Sequence, residues 1–172
     1  LIRPVTGRHR VNPSSQDTPL SALKLTEVLL EAGVPEEALQ CITGSGASIG
    51  DTLVCHPGVR KITFTGSQEV GEHITHVAGL KKITMELGSN SPLIVMPDAD
   101  IQKVAEATVL AGYANAGQVC ISTQRVIVDA AVYGDYLDAL KPMVESLPTG
   151  NPSEDNIKLG PLVRERDAER VE

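Results

Sequence analysis

One cysteine of this sequence stands where it could act as a nucleophile. Cys120 ends the segment Asn115–Cys120 (sequence NAGQVC), which has the small residues of a loop. A reactive thiol needs access to its substrate and backbone N–H groups nearby, and a flexible loop provides both. A single cysteine is more often an inert core residue, so this motif by itself leaves both interpretations open.

Glu86 is the candidate general base. It lies in the segment Thr84–Gly88 (sequence TMELG), where an apolar strand ends. A carboxylate in that position either lies at the ligand-bearing carboxyl edge of an open α/β sheet or pairs with a buried cation. The first alternative would let it move a proton during catalysis.

Two glycine-rich turns could hold a phosphate group. The first is Gly44-Ser45-Gly46, followed by Gly50, with Glu69 in the place of a ribose-binding acid. Its spacing is one residue too long for the dinucleotide fingerprint, which favours an ordinary strand-to-helix turn.

The second turn joins a predicted strand to a predicted helix at Gly66 and Ser67, with Gly71 one turn later. A helix N-terminus presents unpaired N–H groups and the positive end of the dipole, which suit a pyrophosphate. No Lys-Ser/Thr pair follows Gly71, so the turn is not a P-loop. The chemistry alone leaves phosphate binding and a plain turn open.

The elements that must position these residues alternate between strand and helix. A helix opens at Thr18-Pro19 and ends at Gly33. The patterns then predict strands, a short helix ending at Cys55 and longer helices. The strands are 38–43, 61–65, 82–87, 93–96 and 125–128, and the longer helices are 67–77, 101–114 and 133–147. This alternation predicts an α/β fold with parallel strands and crossover helices. The segment from Gly88 to Pro92 interrupts it, which predicts two domains, 1–88 and 89–172.

Composition excludes several classes of protein. The 172 residues carry a net charge of −7, which argues against nucleic acid as a partner. No apolar run approaches the roughly 20 residues of a membrane-spanning helix, so we expect no membrane partner. The three cysteines have neither zinc spacing nor the even count of a disulfide framework, which predicts no metal site and a reducing, cytoplasmic location. The basic start, 1–10, is interpreted as a truncation or reading-frame scar in preference to a targeting signal.

Taken together, the motifs resemble the aldehyde dehydrogenase superfamily. The matching segments are Phe64–Ser67 with Gly71, Glu86–Gly88, Ser91-Pro92 and Gly117–Cys120, in the order and at the spacing of that family. The resemblance covers about residues 13 to 172. It implies a partial Rossmann-type cofactor domain in 1–88 and a partial α/β catalytic domain in 89–172.

The resemblance also implies a reaction. The Cys120 thiolate would attack an aldehyde, a hydride would pass to NAD or NADP, and Glu86 would activate the water that hydrolyses the thioester. Gly66, Ser67 and Gly71 would hold the pyrophosphate, and Leu87 and Gly88 would line the nicotinamide side. The Cys120 backbone N–H would supply half of the oxyanion hole. The partner is a small-molecule aldehyde, and the full-length parent is expected to be a homo-oligomer.

Departures from the family pattern limit these expectations. The oxyanion-hole Asn, the first strand of the cofactor sheet and the Glu-x-Phe-Gly-Pro segment are not found in the 172 residues, and 1–12 match no family segment. We therefore expect an incomplete fragment. One alternative is a catalytically silent fragment or binding module that keeps the fold. Another is a thiol hydrolase without cofactor, against which the intact turn at Gly66 argues. The segments around Ser89 and Ile121 faintly resemble subgroups that act on lactaldehyde, semialdehydes or phosphonoacetaldehyde.

Overall fold

A computed structural model describes residues 2–3, 10–15 and 17–171 of the chain. The residues fall into two compact units, Leu1–Gly88 and Ser89–Glu172. Most of the basic start, on which the interpretation as a scar or signal rests, lies outside the described residues.

The first unit is built on a five-stranded sheet in the order β3-β2-β1-β4-β5. Its strands are β1 (Ile2–Arg3), β2 (Arg10–Ser14), β3 (Leu39–Thr43), β4 (Lys61–Thr65) and β5 (Lys82–Glu86). The pairs β2–β3 and β4–β5 are parallel, and β1 is antiparallel to both of its neighbours. In open α/β sheets, ligands bind at the carboxyl ends of the parallel strands, which are here the ends of β2, β3, β4 and β5.

Helices connect the parallel strands of this unit. They are α1 (Leu20–Glu31), α2 (Gly46–Cys55) and α3 (Gln68–Val77), and a short 3-10 turn, Glu36–Ala38, precedes β3. Branched and apolar side chains of β4 and the two later helices form the core, with Ile62 fully buried and Val54 nearly so. The Lys81 ammonium donates to the Val54 carbonyl at the end of α2, where the helix dipole favours a positive charge.

The second unit has a smaller sheet, of two described strands. Strands β6 (Pro92–Val95) and β7 (Arg125–Val128) pair in parallel, and α4 (Ile101–Tyr113) and α5 (Tyr133–Glu145) pack together. The buried Tyr136 hydroxyl donates to Thr108 Oγ1 across the two helices at 3.1 Å. A last helix, α6, spans Glu165–Val171.

Most predicted elements are present, with shifts of one or two residues at their ends. Four differences stand out. Pro19 and not Thr18 is the N-cap of α1, which has no side-chain cap bond. The strands β1 and β2 and the helix α6 were not predicted. The two-residue strand β1 lies between β2 and β4 and is antiparallel to both.

Within the described part of the chain, no helix is both long enough and apolar enough to cross a membrane.

Candidate active site

Cys120 lies in a turn between α4 and β7, in the second unit, and its side chain is exposed. A core cysteine would instead be packed among apolar side chains. The residues on both sides of Cys120 are fixed by hydrogen bonds, so the thiol is presented from an ordered turn.

The backbone just before Cys120 has an uncommon conformation. Asn115, Ala116 and Gly117 have φ values of 52°, 55° and 73°. Successive left-handed residues are costly for any residue with a Cβ, about 1 to 2 kcal/mol each. Strain of this kind persists only where surrounding contacts hold it, and it concentrates at functional sites.

Those contacts come chiefly from Gln118. Its backbone N–H and its Nε2 both donate to the Asn115 carbonyl at 3.1 Å, and Asn115 Nδ2 donates back to the Gln118 carbonyl at 3.3 Å. The Val163 N–H donates to Gln118 Oε1 at 2.9 Å, which ties the segment after Gly160 to the same turn. The sequence marks Gln118 as part of a motif, but no local pattern indicates a partner so far along the chain.

Glu86 is the last residue of β5, in the first unit, and is exposed. It pairs in register with Thr65 at the end of β4, and its carbonyl accepts the Gly66 N–H at 3.1 Å. The carboxyl ends of β4 and β5 therefore bring Glu86 and the second glycine turn together. This is the edge at which the sequence placed a ligand-bearing carboxylate.

The turn at Gly66 is formed as the sequence predicts. Ser67 is the N-cap of α3, and its Oγ accepts the Val70 N–H at 3.4 Å. A Cβ at position 66 would lie 2.3 Å from the Phe64 ring, so this position needs glycine for a packing reason as well. Gln68, Glu69 and Val70 are exposed residues, and of their N–H groups only that of Val70 has a hydrogen bond among the described residues, to the Ser67 cap.

Gly71 and Leu87 are in close packing contact. Gly71 is buried in α3, and a Cβ there would lie 2.8 Å from Leu87 Cδ2. The missing side chain lets Leu87 pack closely on the helix, one role of glycine in dinucleotide-binding units. Gly88, next in the chain, is exposed.

The other glycine turn, at Gly44, also begins a helix. Ser45 is the N-cap of α2 and accepts the Ser48 N–H at 3.1 Å.

The remaining cysteines differ from each other. The apolar neighbours of Cys41 and Cys55 in the sequence predict that both are structural positions. Cys41 is half-buried in β3, but Cys55 is exposed and donates to the Val77 carbonyl, so the prediction is wrong for Cys55.

At the start of α4, the charged side chains of Asp100 and Lys103 interact with each other. Asp100 caps the helix by accepting the Lys103 N–H at 3.3 Å, and its hydrogen bond with the Lys103 side chain lowers the pKa of Asp100. The same pair raises the pKa of Lys103. Among the described residues, no group of His, Cys, Asp and Glu side chains could hold a metal ion.

Known proteins resemble the chain over almost all of its length. The model of the aldehyde dehydrogenase family matches residues 5–172, beginning earlier than the residue 13 expected from the motifs. A 3-sulfolactaldehyde dehydrogenase from Priestia aryabhattai is 45% identical over 166 residues, which are 96% of this chain and 35% of that protein. The chain therefore spans about a third of the length of this curated relative.

Solved structures agree. A glyceraldehyde-3-phosphate dehydrogenase from Methanocaldococcus jannaschii, complexed with NADP, has a TM-score of 0.90 at 36% identity and covers 94% of this chain and 36% of its own. An NAD-dependent aldehyde dehydrogenase from Sinorhizobium meliloti has a TM-score of 0.91 at 32% identity, over 95% of this chain and 33% of its own. The predicted α/β, aldehyde-dehydrogenase-like fold is confirmed, and the chain belongs to the aldehyde dehydrogenase family.

Proposed function

We propose that residues 5–172 carry the nucleophile, the general base and part of the cofactor site of an enzyme that oxidises an aldehyde to a carboxylic acid with NAD or NADP. The observation that carries this proposal is the family match over 5–172, within which Cys120 is exposed on an ordered turn. In this proposal the unit Leu1–Gly88 is part of the cofactor domain and Ser89–Glu172 is part of the catalytic domain.

Cys120 would begin the reaction. Its sulfur attacks the aldehyde carbon, a C–S bond forms, and the carbonyl oxygen takes negative charge. The Cys120 N–H has no acceptor among the described residues, so it is free to donate to that oxygen. Covalent capture also holds the carbon still while its hydride leaves.

A bound NAD or NADP would supply the hydride acceptor, and loss of the hydride would leave a thioester on Cys120. The exposed N-terminus of α3 suits a pyrophosphate, with Gly66 permitting close approach and the Ser67 hydroxyl proton available to donate. Relatives solved with NADP or described as NAD-dependent support either cofactor. In this proposal Leu87 and Gly88 line the nicotinamide side.

Glu86 would complete the cycle. Its exposed carboxylate takes a proton from water, the water oxygen attacks the thioester carbon, and the C–S bond breaks to release the carboxylic acid and the thiol. The aldehyde itself is proposed only as a class. Relatives named 3-sulfolactaldehyde dehydrogenase and phenylacetaldehyde dehydrogenase are 45% and 42% identical to the chain, so the proposal extends to aldehydes as a class. A cytoplasmic location and a homo-oligomeric parent stay predictions.

A chimera tests the proposal, because it supplies the two thirds of a family member that the 172 residues do not span. The segment that matches the Priestia 3-sulfolactaldehyde dehydrogenase over 166 residues would replace the corresponding segment of that enzyme. Cys120→Ala should abolish NADH formation. Glu86→Gln should keep a first burst of NADH and then stall, because hydride transfer precedes hydrolysis.

Other outcomes would revise the roles. Loss of the burst in Glu86→Gln would mean that Glu86 acts before hydride transfer, for example on the Cys120 proton. A folded chimera with an intact thermal melt and no NADH formation at all would favour the alternative of a silent module that keeps the fold.

A further inference from the structure

The orientation of the Cys120 N–H depends on a single peptide plane. The Val119 carbonyl and the Cys120 N–H belong to the same planar peptide unit and point in opposite directions. The Val119 carbonyl accepts the Ser122 N–H at 2.9 Å. Whatever holds that carbonyl therefore also sets the direction in which the Cys120 N–H points.

Ser122 anchors this peptide on its downstream side. The residue is only 3% exposed, and its Oγ donates towards the carbonyls of Ala111 and Gly112, at 3.1 and 3.2 Å, in the last turn of α4. The Thr123 N–H also donates to the Ala111 carbonyl, at 3.1 Å. A buried hydroxyl that lost these acceptors would be costly, so Ser122 fixes the turn to the end of the helix.

Gln118 anchors the peptide on its upstream side. Its Nε2 donates to the Asn115 carbonyl at 3.1 Å and lies 3.5 Å from the Pro161 carbonyl, while its Oε1 accepts the Val163 N–H. One amide thus closes the left-handed turn before Cys120 and joins it to the segment 161–163. The strained residues between Asn115 and Gln118 are held in place by these bonds.

We propose that Gln118 and Ser122 are positioning residues that together orient the Val119–Cys120 peptide, so that the Cys120 N–H is aimed at the oxygen of a carbonyl substrate attacked by the thiolate. The assignment rests on the proposed role of Cys120 as nucleophile. It adds that the geometry of the oxyanion donor is set by two side chains whose described hydrogen bonds are all to the protein backbone.

Two reagents separate orientation from thiol reactivity. With p-nitrophenyl acetate, the Cys120 sulfur attacks the ester carbon and an oxyanion forms. The C–O bond then breaks, p-nitrophenolate departs, and the acetyl group stays on the sulfur. With iodoacetamide, the sulfur displaces iodide and no oxyanion forms. A correctly aimed N–H accelerates only the first reaction. Mass spectrometry of the Cys120 peptide from the 172-residue chain gives both rates.

The variants are Gln118→Met and Ser122→Ala, and the control is Gln102→Met. The control removes an amide of the same type from an exposed residue of α4, whose described side-chain hydrogen bond is to Glu106 in the same helix. We expect each test variant to slow acetylation of Cys120 about tenfold relative to its alkylation, and the control to leave the ratio unchanged. Val163 amide exchange should also accelerate in Gln118→Met and not in Ser122→Ala.

Every other outcome is informative. An unchanged ratio in both variants would overturn the proposal, whether the two rates stay constant or fall together. A variant that no longer melts cooperatively is replaced by Gln118→Glu, which keeps the acceptor for Val163 and loses the Nε2 donor, with the same ratio as the criterion. Failure of the nucleophile assignment is distinguishable, because Cys55 would then react as fast as Cys120 in the unaltered chain.

Discussion

At the scale of single residues, the three cysteines differ in their surroundings and should differ in reactivity. Cys120 is exposed and Cys41 is half-buried, while the exposed Cys55 shares its proton with the Val77 carbonyl at 3.7 Å. We expect iodoacetamide to label Cys120 first, Cys55 more slowly and Cys41 last, because access governs the reaction. Peptide mapping after brief labelling checks the order. Faster labelling of Cys41 than of Cys120 would contradict it.

Because the turn before Cys120 is left-handed, we expect substitutions at two neighbouring residues to change the stability of the second unit in opposite directions. Ala116→Gly removes a Cβ from a residue at φ 55° and should stabilise the second unit by about 1 kcal/mol. Gly117→Ala places a Cβ at φ 73° and 3.3 Å from the Gly112 carbonyl, and should destabilise it by about 1 to 2 kcal/mol. Urea unfolding measures both changes. Equal effects of the two substitutions would mean that the turn is not left-handed in solution.

At the scale of elements, the contact between α3 and the end of β5 can be tested with two glycines. Gly71→Ala would bring a Cβ within 2.8 Å of Leu87 and should cost about 1 to 3 kcal/mol in unfolding free energy. Gly50→Ala, in α2 of the same unit, meets nothing within 4 Å and should stabilise by about 0.5 to 1 kcal/mol. Circular dichroism during urea unfolding is the measurement. A neutral Gly71→Ala would show that Leu87 moves aside freely.

The sequence predicted the elements whose local chemistry is unambiguous. The strand β4 is rich in β-branched residues, and its bounds agree with the prediction; the helix α3 begins beside the Ser67 cap, as expected. The strand β2 was missed because Pro13 argues against a strand. Proline is tolerated at position 13 because β2 pairs with β1 only at Val11. The side of β2 that faces β1 therefore has no described hydrogen-bonding partner along most of its length. The position of β1 in the sheet depends on long-range pairing, which no local pattern reports.

The candidate site was predictable to a similar extent. Family motifs indicated Cys120, Glu86 and the turn at Gly66, and their joint roles stay predictions. Gln118 was visible only as part of a motif, because its partner Val163 is a backbone group far along the chain. Ser122 had no signal of its own, since a buried serine and an exposed one look alike in sequence.

At the scale of the whole molecule, the second unit carries apolar surface on one face of its small sheet. Ile94 and Ile127, on β6 and β7, are 65% and 50% exposed. We expect the chain to bind the dye ANS, and Ile94→Thr with Ile127→Thr to reduce the signal, because contiguous apolar surface binds such probes. Leu80→Thr is the control, since Leu80 is a single fully exposed residue outside that unit. Equal reduction by the control would contradict the assignment.

We expect the 172-residue chain by itself to show no sustained oxidation of aldehydes, even where Cys120 reacts once with an aldehyde. The family resemblance assigns an oxyanion-hole Asn and a ribose-binding Glu to segments that these 172 residues do not contain. Each such loss costs on the order of 3 kcal/mol of transition-state stabilisation, or about a hundredfold in rate. Absorbance of NADH with short aliphatic aldehydes is the assay. Steady turnover by the purified chain would show a more self-contained site than its motifs suggest.

The placement of the aromatic residues gives the molecule a built-in spectroscopic asymmetry. The chain has no Trp, and its three tyrosines, Tyr113, Tyr133 and Tyr136, all belong to the second unit. Tyrosine emission and the tyrosine bands of near-ultraviolet dichroism therefore report on Ser89–Glu172, while far-ultraviolet dichroism reports on both units. Coincident denaturation curves from the two signals would mean cooperative unfolding of the whole chain, and separated curves would mean that each unit melts by itself.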